Sequence, residues 1–291
     1  MENTLKSGFT LIELSIVLVI IGLIVGGILT GQSLIKAAEI RATLSQVEKY
    51  NTATRTFQNK YSSLPGDIIS SQACAFSLFC VTGASANQIG YGDGNGLIQG
   101  HSTAPFLDGG NYKAEVAMFF LHLSQAGLID GMYGVGADVS VSGATATGGS
   151  TASMPKLSTT ATGSMIGEVL PLAKLGNSNY ITVGSVNGMN YYIVSGINSI
   201  DNTGTIISTN NLTPTDARAI DAKVDDGLPG SATSNGKIYA LDTTAVSINH
   251  SSGTGLTTPT ANNCVDGSGA YYVKSTAYAN LQNCSLRFDF Q

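Results

Sequence analysis

Apolar residues run almost unbroken from Phe9 to Leu29, with one carboxylate, Glu13, near the start of the run. A stretch of about 20 apolar residues is long enough to cross a bilayer core as a helix. Beyond it the pattern becomes amphipathic. Ile40, Leu44, Val47, Phe57, Tyr61 and Leu64 recur at three- and four-residue multiples, with Glu39, Arg41, Glu48, Lys49 and Arg55 between them. That spacing predicts a helix with one face on a packed body, stopped by Pro65 and Gly66. Unbroken from Phe9 to Leu64, it would be about 84 Å long at 1.5 Å rise per residue. Gly22, Gly26, Gly27 and Gly31 lie inside it, each costing up to about 1 kcal/mol against Ala. The pairs Gly22 with Gly26 and Gly27 with Gly31 are spaced for close approach of another helix; local unwinding is the alternative use.

After the stem, the pattern predicts a head over residues 65–291. A helix is expected from Tyr112 to Gln125. The stretch 139–164, crowded with Ser, Thr, Ala and Gly, reads as a linker or long surface loop and is the candidate boundary inside the head. β signals dominate beyond it. Tyr180–Val186 and Met189–Ser195 flank the turn pair Asn187-Gly188, and Ile238–Leu241, Tyr271–Lys274 and Ser285–Phe290 read as further strands. Thr213-Pro214-Thr215-Asp216 opens a short helix, with Thr213 as cap, Pro214 at the first position and Asp216 in an acidic variant of the capping box. The predicted class is α+β: a long N-terminal helix whose second half packs on a mainly antiparallel sheet.

Glu13 requires a reason. An acid at mid-bilayer costs about 2.5 to 3.5 kcal/mol on insertion scales, less near the edge, so an intramembrane carboxylate is a functional candidate. The leader Met1–Gly8 is short and polar, and no small-x-small cleavage site follows the apolar run, so a secretory signal fits poorly and the segment should stay with the mature chain. Lys6 precedes the run and Lys36, Arg41, Lys49, Arg55 and Lys60 follow it, so the positive-inside rule does not settle orientation.

The string Gly8-Phe9-Thr10-Leu11-Ile12-Glu13 resembles the processing site of type IV prepilins and of the pseudopilins of type II secretion. The resemblance implies cleavage between Gly8 and Phe9 by a peptidase on the cytoplasmic face, N-methylation of Phe9, and a place for Glu13 in assembly. It puts Met1 in the cytoplasm, the precursor in the inner membrane and the head in the periplasm, with the filament periplasmic or extracellular. The implied partners are other pilin or pseudopilin subunits, the prepilin peptidase and methyltransferase, the inner-membrane assembly machinery and membrane lipid. Many members of that family carry a helix-breaking proline in this region; no proline occurs here between Phe9 and Leu64. The strings Leu64-Pro65-Gly66-Asp67, Gly92-Asp93-Gly94-Asn95-Gly96-Leu97-Ile98, His122–Gly131 and Ile220–Pro229 resemble segments that recur in prepilin-type proteins with large heads.

Composition narrows the function further. Of 291 residues only 11% are charged, and the net charge is −5. Residues 30–60 carry five basic and two acidic groups, whereas residues 61–291 carry eight basic and fifteen acidic. An acidic head on a basic stem argues against broad nucleic-acid binding. The four cysteines lie beyond the apolar run. On an oxidising side the sequence-local pairing is Cys74 with Cys80 and Cys264 with Cys284; a four-cysteine zinc site is the competing reading, though no Cys-x-x-Cys pair occurs. The loop closed by Cys264 and Cys284 resembles the disulfide-bounded loop of many pilin heads.

Catalytic patterns are missing: there is no Gly-x-Ser-x-Gly, His-Glu-x-x-His or phosphate-binding Gly-x-x-x-x-Gly-Lys-Ser/Thr string. His101, His122 and His250 are scattered, and His122, among Phe119, Phe120, Leu121 and Leu123, reads as a structural histidine. No cofactor is expected, with calcium the one candidate. Asp93 and Asn95 sit in a string like the middle of an EF-hand loop, but Tyr91 and Ser102 occupy the positions of its first carboxylate and its bidentate Glu, which excludes a full EF-hand. Asp221, Asp225 and Asp226 form a second oxygen-rich cluster; for both, the alternative is a turn whose side chains cap their own backbone. The expected function is a structural subunit of a type IV filament, not an enzyme. The alternative is a membrane-anchored extracytoplasmic binding protein that never polymerises.

Overall fold

The computed structural model describes residues 10–81, 90, 92–99, 114–134, 161–176, 178–186, 188–200, 206–209, 211–228, 237–241, 264–265, 271 and 284–290. Gly8, Phe9, Asn187, His101, His250, most of the proposed linker (139–160) and residues 272–274 of one expected strand lie outside them.

One helix, α1 (Leu11–Tyr61), runs without a break through the apolar segment and the stem, about 76 Å at 1.5 Å per residue. The four glycines do not unwind it. It ends three residues short of the expected Leu64, because Ser62 turns into the left-handed region (φ 57°, ψ 24°) and its N–H closes on the Gln58 carbonyl at 2.8 Å. The helix has two environments. Its large apolar side chains from Leu11 to Ile35 are solvent-exposed in the isolated chain, whereas Ile40, Thr43, Val47, Tyr50, Ala53, Thr54, Phe57 and Tyr61 are buried under the head.

After α1 come α2 (Ser70–Ala75) and α3 (Ala114–Gln125), then β1 (Ala161–Thr162), α4 (Ile166–Val169), β2 (Asn179–Val186), β3 (Met189–Ile200), β4 (Ile206–Thr209), α5 (Pro214–Val224), β5 (Ile238–Leu241) and β6 (Ser285–Asp289). The short strand β1 falls inside the segment expected to be a linker, so that segment ends in structure rather than loop. All strand pairs are antiparallel, and β3 is the hub. Its first part pairs with β2, Val186 standing opposite Met189, and Gly188 just before Met189 takes φ 79°. Gly196 pairs with both Asn179 and Thr209, and Ile200 with both Ala161 and Ile206. Since a strand residue has only two neighbours in a sheet, β2 and β1 flank β3 on one side and β6 and β4 on the other. β5 continues outward from β6. The expected end of β3 at Ser195 is five residues early: Gly196, Asn198 and Ser199 interrupt the apolar run, and pairing with β4 and β1 carries the strand through them.

The seam between stem and head is aromatic. Tyr50 of α1 meets Phe120 of α3 edge-on at 5.4 Å between ring centres; Phe119 packs near Tyr192 of β3, and Tyr192 lies 4.4 Å from Phe290. The Thr54 and Tyr192 hydroxyls share a buried hydrogen bond of 3.0 Å. Gln46 bridges to the head backbone, donating to the Leu172 carbonyl (2.9 Å) and accepting from the Lys174 N–H (3.1 Å). Two ion pairs cross the seam, Lys49 with Asp130 and Lys36 with Asp216 at 3.0 Å. The Asp216 carboxylate was expected to complete a capping box on α5. Thr213 does accept from the Asp216 N–H, but the carboxylate reaches across to the stem.

Candidate functional site

The start of α1 is capped by its own sequence. Thr10 accepts from the Glu13 N–H (3.4 Å), while Glu13 Oε2 accepts from both the Thr10 N–H and the Thr10 hydroxyl, each at 2.8 Å. This reciprocal capping box holds the acid against the helix start. Glu13 was expected as an assembly residue and not as part of this cap; the Thr-x-x-Glu spacing is the signal that could have found it. Beyond Glu13, an added Cβ at Gly22, Gly26, Gly27 or Gly31 would meet nothing within 4 Å. Packing inside the chain therefore does not explain these glycines. At 100° per residue the pair Gly22/Gly26 faces about 140° away from the pair Gly27/Gly31, so both sides of the helix are thinned.

In the head, the Gly92–Ile98 string is held by three side chains from distant parts of the chain. Asp67 Oδ1 accepts from the Gly94 and Asn95 N–H groups (2.8 and 3.1 Å) and Oδ2 from Gly96 (2.9 Å). Glu115 of α3 accepts from the Asp93 and Gln99 N–H groups (3.2 and 2.7 Å). Asn190 of β3 accepts from the Ile98 N–H and donates to the Gly96 carbonyl. Asp93 and Asn95, the calcium candidates, are committed to local turns, Asp93 accepting from the Asn95 N–H and Asn95 from the Leu97 N–H. Burial, and then the neighbouring Asp93 charge, raise Asp67 to about 6; burial, and then Asp67, raise Glu115 to about 9. Asp67 stood in the Leu64–Asp67 string without a role read for it, and Glu115 and Asn190 carried no local sequence signal, because each acts on backbone 16 to 94 residues away.

The second cluster sits at the C-terminal end of α5. Asp221 is fully buried, and its Oδ2 accepts from the Tyr271 hydroxyl at 2.8 Å. Asp225 accepts from the Lys237 N–H (2.5 Å) and Asp226 from the Leu228 N–H (2.8 Å). One oxygen from each of the three carboxylates lies within 4.8 Å of the other two. Burial above all, with the charges of Asp226 and Asp225, raises Asp221 to about 6 and pushes the Tyr271 hydroxyl well above its usual range.

Residues 3–29 match the family of the prokaryotic N-terminal methylation motif. The chain carries that motif. It is characteristic of type IV prepilins and pseudopilins, and it spans the leader, Glu13 and the apolar half of α1. No curated protein and no solved structure matches the chain. With the methylation motif at its start, a long apolar helix and an antiparallel sheet, the architecture is pilin-like α+β. α1 is long and apolar enough in its first part to cross a membrane, with none of that window buried in the chain. Motif and helix together point to membrane anchoring of a precursor and to a structural subunit.

The cysteines close two local loops, Cys74 to Cys80 and Cys264 to Cys284, leaving no thiolate for a zinc site. His122 is buried. Its Nδ1 accepts from the Gly66 N–H (3.0 Å) and its Nε2 lies 2.9 Å from the Phe79 carbonyl, so the neutral ring with the proton on Nε2 satisfies both. It ties the end of the stem to the Cys74–Cys80 loop.

Proposed function

We infer that the chain is a structural subunit of a type IV filament, a pilin or a type II secretion pseudopilin, processed between Gly8 and Phe9 and assembled through α1. The methylation motif over residues 3–29 carries this reading. Three features support it. The apolar half of α1 has no partner among the described residues, two pairs of glycines leave room for neighbouring helices on two sides, and Glu13 is held at the helix start, close in sequence to the proposed cleavage point. The mechanism is packing: apolar helices bundle in the core while the heads, each fixed to its stem by the Tyr50, Phe57 and Tyr192 seam, face outward. Leader, membrane segment (9–29), stem (30–64) and head (65–291) then act as separate functional parts. Intact-mass and amino-terminal peptide analysis of membrane or sheared-filament material tests the reading. The expected terminus is N-methylated Phe9. A terminus at Met1, or a cut beyond Leu29, refutes it, and a processed chain that never leaves the membrane would favour an anchored binding protein.

A further inference from the structure

We propose that the base of the head is seated on the lipid headgroups of the membrane that α1 crosses, with Arg218 of α5 on the lipid phosphates and the Lys36–Asp216 ion pair setting the height. A rigid rod fixes the distance. α1 is one unbroken helix from Leu11 to Tyr61, so no flexible linker separates the apolar run from the head. The run ends at Leu29, and Lys36 lies about 10 Å further along the axis at 1.5 Å per residue. A bilayer of about 40 to 45 Å with a hydrocarbon core of about 30 Å has a headgroup layer of about 5 to 8 Å on each side. Lys36 therefore stands just above that layer, and there its ammonium binds Asp216, in the first turn of α5, at 3.0 Å. Below this contact the stem is bare: Leu34 and Ile35 are 66% and 62% exposed, and the first fully buried stem residue is Ile40. Among the described residues, Asp216 is the head group bound nearest the membrane end of α1.

The chemistry of α5 suits such a surface. Its buried face is Pro214, Ala217, Ile220 and Asp221, so Thr215, Arg218, Ala222 and Lys223 are turned away from the core. Arg218, two positions after Asp216, is exposed, and no carboxylate among the described residues lies within ion-pair distance of it. A long side chain can carry its charge down to the headgroups while its stem stays on the helix, and the guanidinium fork matches phosphate oxygens. Asp225 and Asp226, the acids that would oppose an anionic surface, lie about 10 to 12 Å further along the chain of α5 and accept from the Lys237 and Leu228 N–H groups. The anchored chain then holds its head in one orientation, and leaving the bilayer breaks the seat. The proposal rests on membrane crossing by α1 and not on filament assembly.

The chain has no tryptophan, so one introduced Trp reports one place. The test reconstitutes the full chain in vesicles of phosphatidylethanolamine and phosphatidylglycerol that carry a quenching nitroxide in both leaflets, either on the headgroup or at mid-acyl chain. Leu23→Trp should be quenched by the acyl label, which establishes the crossing. Thr215→Trp, exposed in the first turn of α5, should lose at least half of its fluorescence to the headgroup label. Met132→Trp should lose little: it is 94% exposed and close to Asp130, whose partner Lys49 lies about 20 Å further up α1 than Lys36. Adding Arg218→Glu to Thr215→Trp should cut the quenching at least twofold, whereas Lys174→Glu, the same charge change at another exposed site, should leave it unchanged. If Leu23→Trp is quenched but Thr215→Trp no more than Met132→Trp, the seat is overturned and the anchor stands; an unquenched Leu23→Trp overturns both. Undiminished quenching with Arg218→Glu, or an equal loss with Lys174→Glu, overturns the contact assigned to Arg218.

Discussion

Lowering the pH should loosen the join between stem and head through one side chain, His122. Burial holds its imidazole down at about 4, against 6.5 for an unperturbed ring. The neutral form is needed, because Nδ1 must accept from Gly66 and a protonated ring has no acceptor left. A group with a depressed basic pKa binds protons more readily in the unfolded chain, so stability falls as pH drops through the unfolded value of 6.5 and levels off below about 4. The full loss, at 1.36 kcal/mol per pKa unit, is about 3 kcal/mol, of which about 2 kcal/mol falls between pH 7 and pH 4.5. Other groups titrate in the same interval. Asp67 and Glu115, both raised, oppose His122: their protonated forms favour the folded chain, so they add stability as pH falls. The comparison that isolates His122 is therefore wild type against His122→Gln, which offers an amide donor and acceptor but does not titrate. Urea unfolding of the full chain in neutral detergent, followed by near-ultraviolet circular dichroism, gives the difference at each pH. At pH 7 the variant should be less stable by about 1 to 3 kcal/mol through imperfect hydrogen bonds. By pH 4.5 that gap should close by about 2 kcal/mol or reverse. A gap that stays constant within about 0.5 kcal/mol would refute the argument, showing that the buried ring is not the group that resists protonation.

Two further outcomes bear on assembly and on the far end of the head. Glu13→Ala should leave membrane insertion and Gly8 cleavage intact, since the segment becomes more apolar, yet lower the yield of sheared filaments relative to membrane-retained subunit; wild-type yields from both Glu13→Ala and Glu13→Gln would reduce Glu13 to a helix cap. Cys284→Ser, which opens a loop closed over a separation of 20 residues, should cost on the order of 3 kcal/mol and speed amide exchange first in β6, next to Cys284, with unchanged exchange there counting against the bridge as its anchor.

What the sequence disclosed was what local periodicity encodes. The apolar run, the amphipathic stem, the β2–β3 hairpin and the Thr213 cap each depend on residues within a few positions of one another. The helix end was misjudged because Pro65 and Gly66 look like the stop, yet Ser62 adopts the left-handed turn before them. β4 and the end of β3 were missed: Ile206 and Ile207 favour a strand but the run is only four residues long, and Gly196, Asn198 and Ser199 break the pattern of β3, which pairing with β4 and β1 restores. The head's acidic centres divided along the same line. Asp93, Asn95, Asp225 and Asp226 stood out as local strings, but Asp67, Glu115 and Asn190, which hold the Gly92–Ile98 loop, become neighbours only after α1, α3 and β3 have packed. Likewise Asp216 was read as a cap residue because its partner Lys36 lies on another helix.

The place of β6 in the sheet sets a timetable for the molecule. Tyr191 of the hub strand pairs with Asp289, and β5 can join only through β6. During synthesis, then, the membrane segment and stem emerge long before the head can close, and β3 waits with one flank open for almost a hundred residues. Pairing over so long a separation is slow, and an open strand edge in that interval invites pairing with other chains. A chain that stops before residue 284 would lose an inner strand, not a margin, and with it the attachment of β5. Completion of the sheet thus waits for β6, which separates chains whose hub strand still has an open edge from chains whose head is closed.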